Sequence, residues 1–390
     1  MFLIDKPYVS DFLIETIRVN NYKIVSTREA KELIPDNSLN WIGEEEAIRN
    51  IESDPHSAVY ISSENSMTWI ARNLSSSKLL SKVHLFKDKA RFRELIKSSF
   101  PGFFFKTVKL ADIQYLNPEE IGFPFVIKPS LGFFSMGVHI IHNLDDWEVA
   151  KNDLSPDSLQ NIYPEEVFNG SIFIIEEYIG GEEYAVDCYF NSWGEAVITN
   201  ILHHRFSSGK DISHRVYSTS KDIIFKYKDD IERFLVTIGD KAGLKNFAAH
   251  VEIRIDANGS IRPIEVNPLR FGGWCTTGDL SWYAFGINPY EYYVNNQKPD
   301  WEQIFTSREN KIYSIVVLNN NSGYQAQDIT GFNYELLAGD FENALLVRRL
   351  DVKEHTVFGF LFTETSLDNQ EELDRILVSD LRKYISVQLS

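Results

Sequence analysis

Short apolar runs alternating with segments of helical spacing dominate the first part of the chain. Phe2-Leu3-Ile4 reads as a strand, residues 11–19 as a helix, and Tyr22-Lys23-Ile24-Val25 as a second strand. Ala58-Val59-Tyr60-Ile61 is another strand, followed by a helix near residues 67–74. Such alternation predicts a small parallel α/β lobe. Residues 86–98 predict a charged amphipathic helix, and residues 103–110 a strand. Phe125-Val126-Ile127-Lys128-Pro129 is a strand running into a Gly/Ser loop, from which residues 137–141 return. Ile172-Phe173-Ile174-Ile175 is a continuous apolar run, the mark of a buried strand. Residues 184–190 and 195–202 pair across Asn191-Ser192-Trp193-Gly194, and residues 223–241 form a long helix. The tail has strand-like runs at 313–318, 345–350 and 357–362, and a closing helix over 371–385.

The most informative pattern runs from His250 to Asn267. Asn258-Gly259 between alternating stretches predicts a hairpin with a two-residue loop. Glu252 then lies opposite Glu265, and His250 opposite Asn267. Strand alternation puts Val251, Ile253, Ile255, Ile264 and Val266 on a core face. His250, Glu252, Arg254, Asp256, Glu265 and Asn267 share the other face. Like charges directly opposite in a sheet repel. A hard divalent cation such as magnesium, which takes carboxylate and amide oxygens, would offset that. The alternative is a solvated polar face neutralised by Arg254 and lysines.

Composition narrows the setting. The chain has 390 residues, 43% hydrophobic and 24% charged, an ordinary globular balance with room for a sizeable core and two or three lobes. Its net charge of −17 argues against a broad nucleic-acid or anionic-membrane surface. No apolar run is long enough to span a bilayer. Met1-Phe2-Leu3-Ile4 meets Asp5 at once and reads as a first strand, not a signal peptide. Cys188 and Cys275 cannot form a disulfide framework or a zinc cluster, so a reducing, cytoplasmic setting is expected.

Two further segments carry chemistry. Lys128, at a strand end, can reach phosphates as a point charge, and the loop from Ser130 to Gly137 can offer N–H donors. That loop lacks Walker spacing, and an ordinary hairpin with an exposed lysine is its alternative. In Ile175-Glu176-Glu177-Tyr178-Ile179-Gly180-Gly181-Glu182-Glu183 a buried strand ends in acids and turns at two glycines. It can present backbone groups to an adenine edge and a carboxylate to ribose hydroxyls, or it is a surface acidic turn.

In this order the segments resemble the ATP-grasp superfamily, over roughly residues 85–275. The pieces are Asp88-Lys89, Lys128-Pro129, the loop through Ser135, Glu176 through Glu183, Glu252, and Glu265-Val266-Asn267 thirteen residues on. The resemblance implies an N-terminal parallel α/β lobe (1–84), a two-lobed ATP-grasp body (85–305) and a small C-terminal α+β appendage (306–390). It implies that Lys89, Lys128 and Ser135 bind ATP phosphates and that Glu176 approaches the adenine amino group. The backbones of Glu177 and Ile179 would read the adenine edge, and Glu183 would bind ribose. Glu252, Glu265 and Asn267 would hold magnesium, with manganese as a substitute. Arg270, with Lys128, would serve catalysis by stabilising an acyl phosphate. Asn267-Pro268-Leu269-Arg270 is one residue longer than the family's Asn-Pro-Arg, which puts the placement of Arg270 in question.

The function implied is ATP- and magnesium-dependent ligation of a small-molecule carboxylate to an amine, with a homodimer admitted as the assembly. A small-molecule kinase and a non-catalytic ATP sensor are the alternatives. His203-His204-Arg205 and His214-Arg215 flank a loop that could cover the nucleotide, with Lys210 or Arg215 near the γ-phosphate, or that is a surface loop. Asp187 alternates onto the face of Glu183 as a structural acid near the sugar. Cys275 has no evident base and is not expected to act as a nucleophile.

Overall fold

The computed structural model describes residues 1–131, 137–155, 158, 172–207 and 214–388. Four short strands, β1 (Phe2–Leu3), β2 (Ile24–Val25), β3 (Trp41–Ile42) and β4 (Tyr60–Ile61), form a parallel sheet in the order β3-β2-β1-β4. The helices between them start on side-chain caps: Ser10 accepts from the Leu13 N–H and Thr27 from the Ala30 N–H. A second sheet holds β5 (Phe105–Lys109), β6 (Phe125–Pro129), β7 (His139–Ile141) and β8 (Ile172–Glu177), antiparallel in the order β5-β8-β6-β7. The helix Leu144–Asp153 packs Trp147 and Ala150 against Phe125, Ile127 and Ile175 of that sheet.

The largest sheet is antiparallel. It holds β9 (Glu182–Phe190), β10 (Ala196–Arg205), β11 (Val216–Ser220), β12 (Phe247–Ile255), β13 (Ile261–Pro268) and β14 (Lys311–Asn319). After β15 (Ile329–Phe332), which pairs with β18 (Ile385–Val387) alone, come β16 (Asn343–Arg349) and β17 (Val357–Ser366). The order is β13-β12-β9-β10-β11-β14-β17-β16, so strands from the tail continue the central sheet. The helix Lys221–Ala242 lays Ile224, Ile231, Leu235 and Ile238 into the same core as Ile201 and Leu202 of β10.

Local chemistry accounts for two departures from the expected elements. The helix predicted over 86–98 is two helices, Lys78–Lys87 and Lys89–Ile96. Asp88 between them is extended, and its carboxylate caps the second by accepting from the Ala90 and Arg91 N–H groups. The closing helix spans only Glu371–Leu377. Beyond it Ser379 accepts from the Leu381 N–H at 3.1 Å, and Leu381 takes a left-handed φ of +63°, which no helix continues through.

The first sheet abuts the inner end of the β12–β13 hairpin. Val59 bridges Phe247 in parallel, and the Ile61 N–H donates to the Leu269 carbonyl at 2.9 Å. This junction decides what surrounds the opposed acids.

Candidate active site

The hairpin turn is not the two-residue loop that Asn-Gly predicts. The Asp256 N–H donates to the Ser260 carbonyl at 3.2 Å, so the loop is Ala257-Asn258-Gly259. Gly259 sits at φ +79°, and the Asp256 carboxylate accepts from the Asn258 and Ser260 N–H groups at 2.8 and 2.9 Å. This shifts the register, pairing Ile255 with Ile261 and Ile253 with Pro263. A bulge between Glu252 and Ile253 reverses the shift, so Glu252 faces Glu265 and His250 faces Asn267 as the pattern predicted. The two deviations cancel at the acids. Their trace is Ile264, expected in the core but only half-buried, while Pro263 is buried in its place.

The bulge also explains an arginine. β13 is an edge strand, on which successive carbonyls should alternate in direction. Here the Pro263 and Ile264 carbonyls both accept from Arg93, at 2.7 and 3.3 Å. The same guanidinium donates to Glu176 at 2.7 and 3.2 Å, and Lys128 lies 2.5 Å from Glu176. Arg93 and Glu176 are each 2% exposed. Burial pushes the Glu176 carboxyl up, but Lys128 and Arg93 outweigh it and hold it at about 2. Glu176, which the resemblance sets near an adenine amino group, thus has Lys128 and Arg93 as its partners in the structure.

Around the opposed acids, Asn267 Nδ2 lies 3.1 Å from Glu265 Oε1 and 3.5 Å from Glu252 Oε1. Lys89 Nζ is 3.2 Å from Glu265 Oε2. Burial, then the charges of Glu265 and Glu183, raise the Glu252 carboxyl well above the usual range. Glu265 goes the other way: burial is outweighed by Lys89, Lys87 and Lys128, which hold it at about 2. Asp88 keeps Lys89 in place, since Ser130 at the end of β6 donates to the Asp88 carboxylate at 2.5 Å and accepts the Ala90 N–H at 3.2 Å. The lysine motif and the strand-end motif are thereby one unit.

At the hinge, the Glu177 N–H donates to the Phe104 carbonyl at 3.1 Å, and the Ile179 carbonyl accepts from Arg254 at 2.7 Å. Glu183 lies between His204 Nδ1, 2.9 Å from Oε1, and Arg254 Nη2, 3.0 Å from Oε2. Asp187 is not beside it. It is fully buried, 2.7 Å from His250 Nδ1, and accepts the Gly272 N–H at 3.1 Å. Four positions carry a strand about 13 Å, which separates the two acids.

The extra residue before Arg270 is absorbed locally. Leu269 takes a left-handed φ of +63°, its side chain fully buried, and its N–H donates to Ala248 at 2.7 Å. Arg270 then lies near enough to Glu252 for its charge to oppose the rise of that carboxyl. It donates to the Phe271 carbonyl and to Glu64, each at 2.9 Å. Ser135 and Lys210 lie outside the described residues. Burial pushes the Cys275 thiol up to about 11, which leaves no thiolate at neutral pH.

Among the described residues, no group of three or more His, Cys, Asp or Glu side chains gathers as a metal cage, and no helix is long and apolar enough to cross a membrane. Two carboxylates beside an amide suit magnesium, which completes its shell with water and substrate phosphates.

Comparison with known proteins gives a consistent picture. The family model of the ATP-grasp domain matches residues 121–278. The alanine–anticapsin ligase of Bacillus amyloliquefaciens is 27% identical over 220 residues, 52% of this chain and 45% of that protein. The chain thus spans a little under half the length of the curated relatives it matches. An L-amino acid ligase from Bacillus licheniformis superposes with a TM-score of 0.68 at 18% identity, over 100% of this chain and 98% of that one. The biotin carboxylase domain of a Hydrogenobacter thermophilus 2-oxoglutarate carboxylase, solved with MgADP, gives 0.64 at 13% identity over 99% and 90%. At these identities the structural likenesses show a shared fold.

Proposed function

We propose that this chain, whose residues 121–278 match the family model of the ATP-grasp domain, uses ATP to activate a carboxylate as an acyl phosphate that an amine then converts to an amide. The observation that carries the reading is the facing pair Glu252 and Glu265, with Asn267 beside them and Lys89 and Lys128 close by. The names of the similar ligases support amino acids as the substrate class for both carboxylate and amine.

In this reading Lys89 and Lys128 bind phosphate oxygens, Lys128 from a buried position that water screens weakly. The hinge backbone at Glu177 and Ile179 meets the adenine edge. Glu183 binds ribose hydroxyls, since each of its oxygens keeps acceptor capacity beside His204 and Arg254. Glu176 orients Lys128 in place of touching the base. Glu252, Glu265 and Asn267 would hold magnesium, or manganese in its stead. A bound cation supplies neutralisation of the charge on the phosphates. Arg270 stabilises charge developing on the acyl phosphate and on the tetrahedral state that follows. Orientation and fixed charge do most of the catalytic work, as in phosphoryl transfer generally. Two buried free cysteines accord with a reducing cytoplasm.

Incubation with magnesium, ATP and pooled amino acids tests the reading. ADP, free phosphate and new amide-linked masses are expected. A phosphorylated small molecule without an amide would make the protein a kinase. No ADP release across a broad panel of acids and amines would make it a nucleotide sensor.

A further inference from the structure

The N-terminal lobe sends one carboxylate into this site. Glu64 follows β4, and its Oε1 accepts from Arg270 Nη2 at 2.9 Å across 206 positions of sequence. Its Oε2 accepts from Lys87 Nζ at 3.0 Å. Arg270 is 8% exposed and its Nη1 donates to the Phe271 carbonyl. The guanidinium is therefore pinned at both terminal nitrogens. Its Nε is buried without a hydrogen-bond partner among the described residues. The charge of this held guanidinium acts on Glu252.

The loop does not need this carboxylate to stay in place. Ser63 Oγ and Asn65 Nδ2 both donate to the Lys6 carbonyl, at 2.6 and 2.8 Å, so its own lobe holds it. β4 is separately tied to the large sheet through Val59 and Ile61. What Glu64 adds is a charge between two cations that would repel each other, one at the end of the helix leading to Lys89 and one after the acidic hairpin.

We propose that Glu64 is a positioning residue for the reaction: it fixes the Arg270 guanidinium in the orientation from which its charge acts on the acidic hairpin and on charge developing on the substrate carboxylate, and it spaces Lys87 from that arginine. The inference rests on the ligase reading above. It makes the N-terminal lobe part of the active site, with Glu64 acting through Arg270.

A double-mutant cycle on the full chain tests it. E64Q should lower kcat by about 10- to 100-fold, the usual cost of losing a group that orients an active-site residue, while KM for ATP stays near the wild-type value. R270A and the R270A/E64Q double variant should have equal kcat, because Glu64 has nothing left to orient. E64D, which keeps the charge but shortens its reach, should recover part of the loss. Wild-type kcat in E64Q, or losses that multiply in the double variant, would overturn the proposal. If E64Q fails to fold, E64D replaces it in the same cycle. The wild type in the same assay separates the two claims: no amide product there removes the ligase reading itself, whereas an active wild type beside a fully active E64Q removes only the clamp.

Discussion

Two carboxylates set opposite one another are a burden on folding until something positive joins them. Glu252 and Glu265 share that burden unequally. Lys89, Lys87 and Lys128 surround Glu265, and Glu252 meets the charges of Glu265 and Glu183. E252Q should therefore raise the thermal midpoint in metal-free buffer, a gain of about 1 kcal/mol if one opposed pair is relieved. E265Q should leave it level or lower it, since three lysines lose their shared acid. Turnover should fall in both by about 10²- to 10³-fold, the usual loss on removing one electrostatic stabiliser. Saturating MgATP should protect the wild type by about 2.7 kcal/mol at a hundred times its Kd, and both variants by clearly less. Thermal shifts with and without MgATP check all of this; full MgATP protection of E265Q would detach the pair from the nucleotide. At this scale the facing acids were legible, because spacing and alternation fix them locally, and Lys128 was legible from its strand end; Lys89 entered only through the family resemblance, and Lys87 not at all. Arg93 and Glu64 were not: they meet the site across 83 and 206 positions, and nothing in a lone helical arginine or loop glutamate marks such a partner.

The hairpin shows why an element can be right where it matters and wrong at its end. Asn-Gly suggested a two-residue turn, but the Asp256 carboxylate reaching the Asn258 and Ser260 N–H groups favours the longer loop, and the bulge at Ile264 restores the pairing. Period-two reasoning has no means of placing a bulge, so Ile264 was assigned to the core and the carbonyls that bind Arg93 went unseen. The Arg93–Glu176–Lys128 cluster ties β8 to β13 through that irregularity. Removing one member of a buried ionic cluster strands the others, so E176Q should cost about 3–5 kcal/mol at neutral pH. The pH dependence has a definite sign. Glu176 is depressed from its ordinary 4.5 to about 2, so between those values the unfolded chain binds more protons than the folded one. The stabilisation is complete above about 4.5 and disappears as pH falls through 2. Urea denaturation of wild type and E176Q across that window should show the difference between them shrinking with acid. A constant difference would mean that Glu176 acts by packing and not by charge.

At the level of the whole molecule, the question is whether the tail is an attachment or part of the body. Its strand-like runs were readable, but a strand's partner is not written in its own periodicity, and a sheet edge looks the same in sequence whether it is covered or free. Here β14 pairs along β11 on one side and β17 on the other. Ile315 and Phe362 share the central core, while Val216 of β11 belongs to the core of the tail. Arg348 of β16 reaches Asp279 and the Trp274 carbonyl, and buried Arg215 donates to the Ile376 carbonyl at 3.2 Å. Cutting after residue 305 would leave β11 an unpaired edge with Val216 stripped of its core, and Asp279 buried without its guanidinium. The shortened chain should therefore be insoluble or aggregated, with no thermal shift on adding MgATP. Expression followed by size-exclusion chromatography reads this directly. A monodisperse chain of residues 1–305 that binds MgATP as the full protein does would show instead that the central sheet can end at β11, and that the tail adds only its own small core.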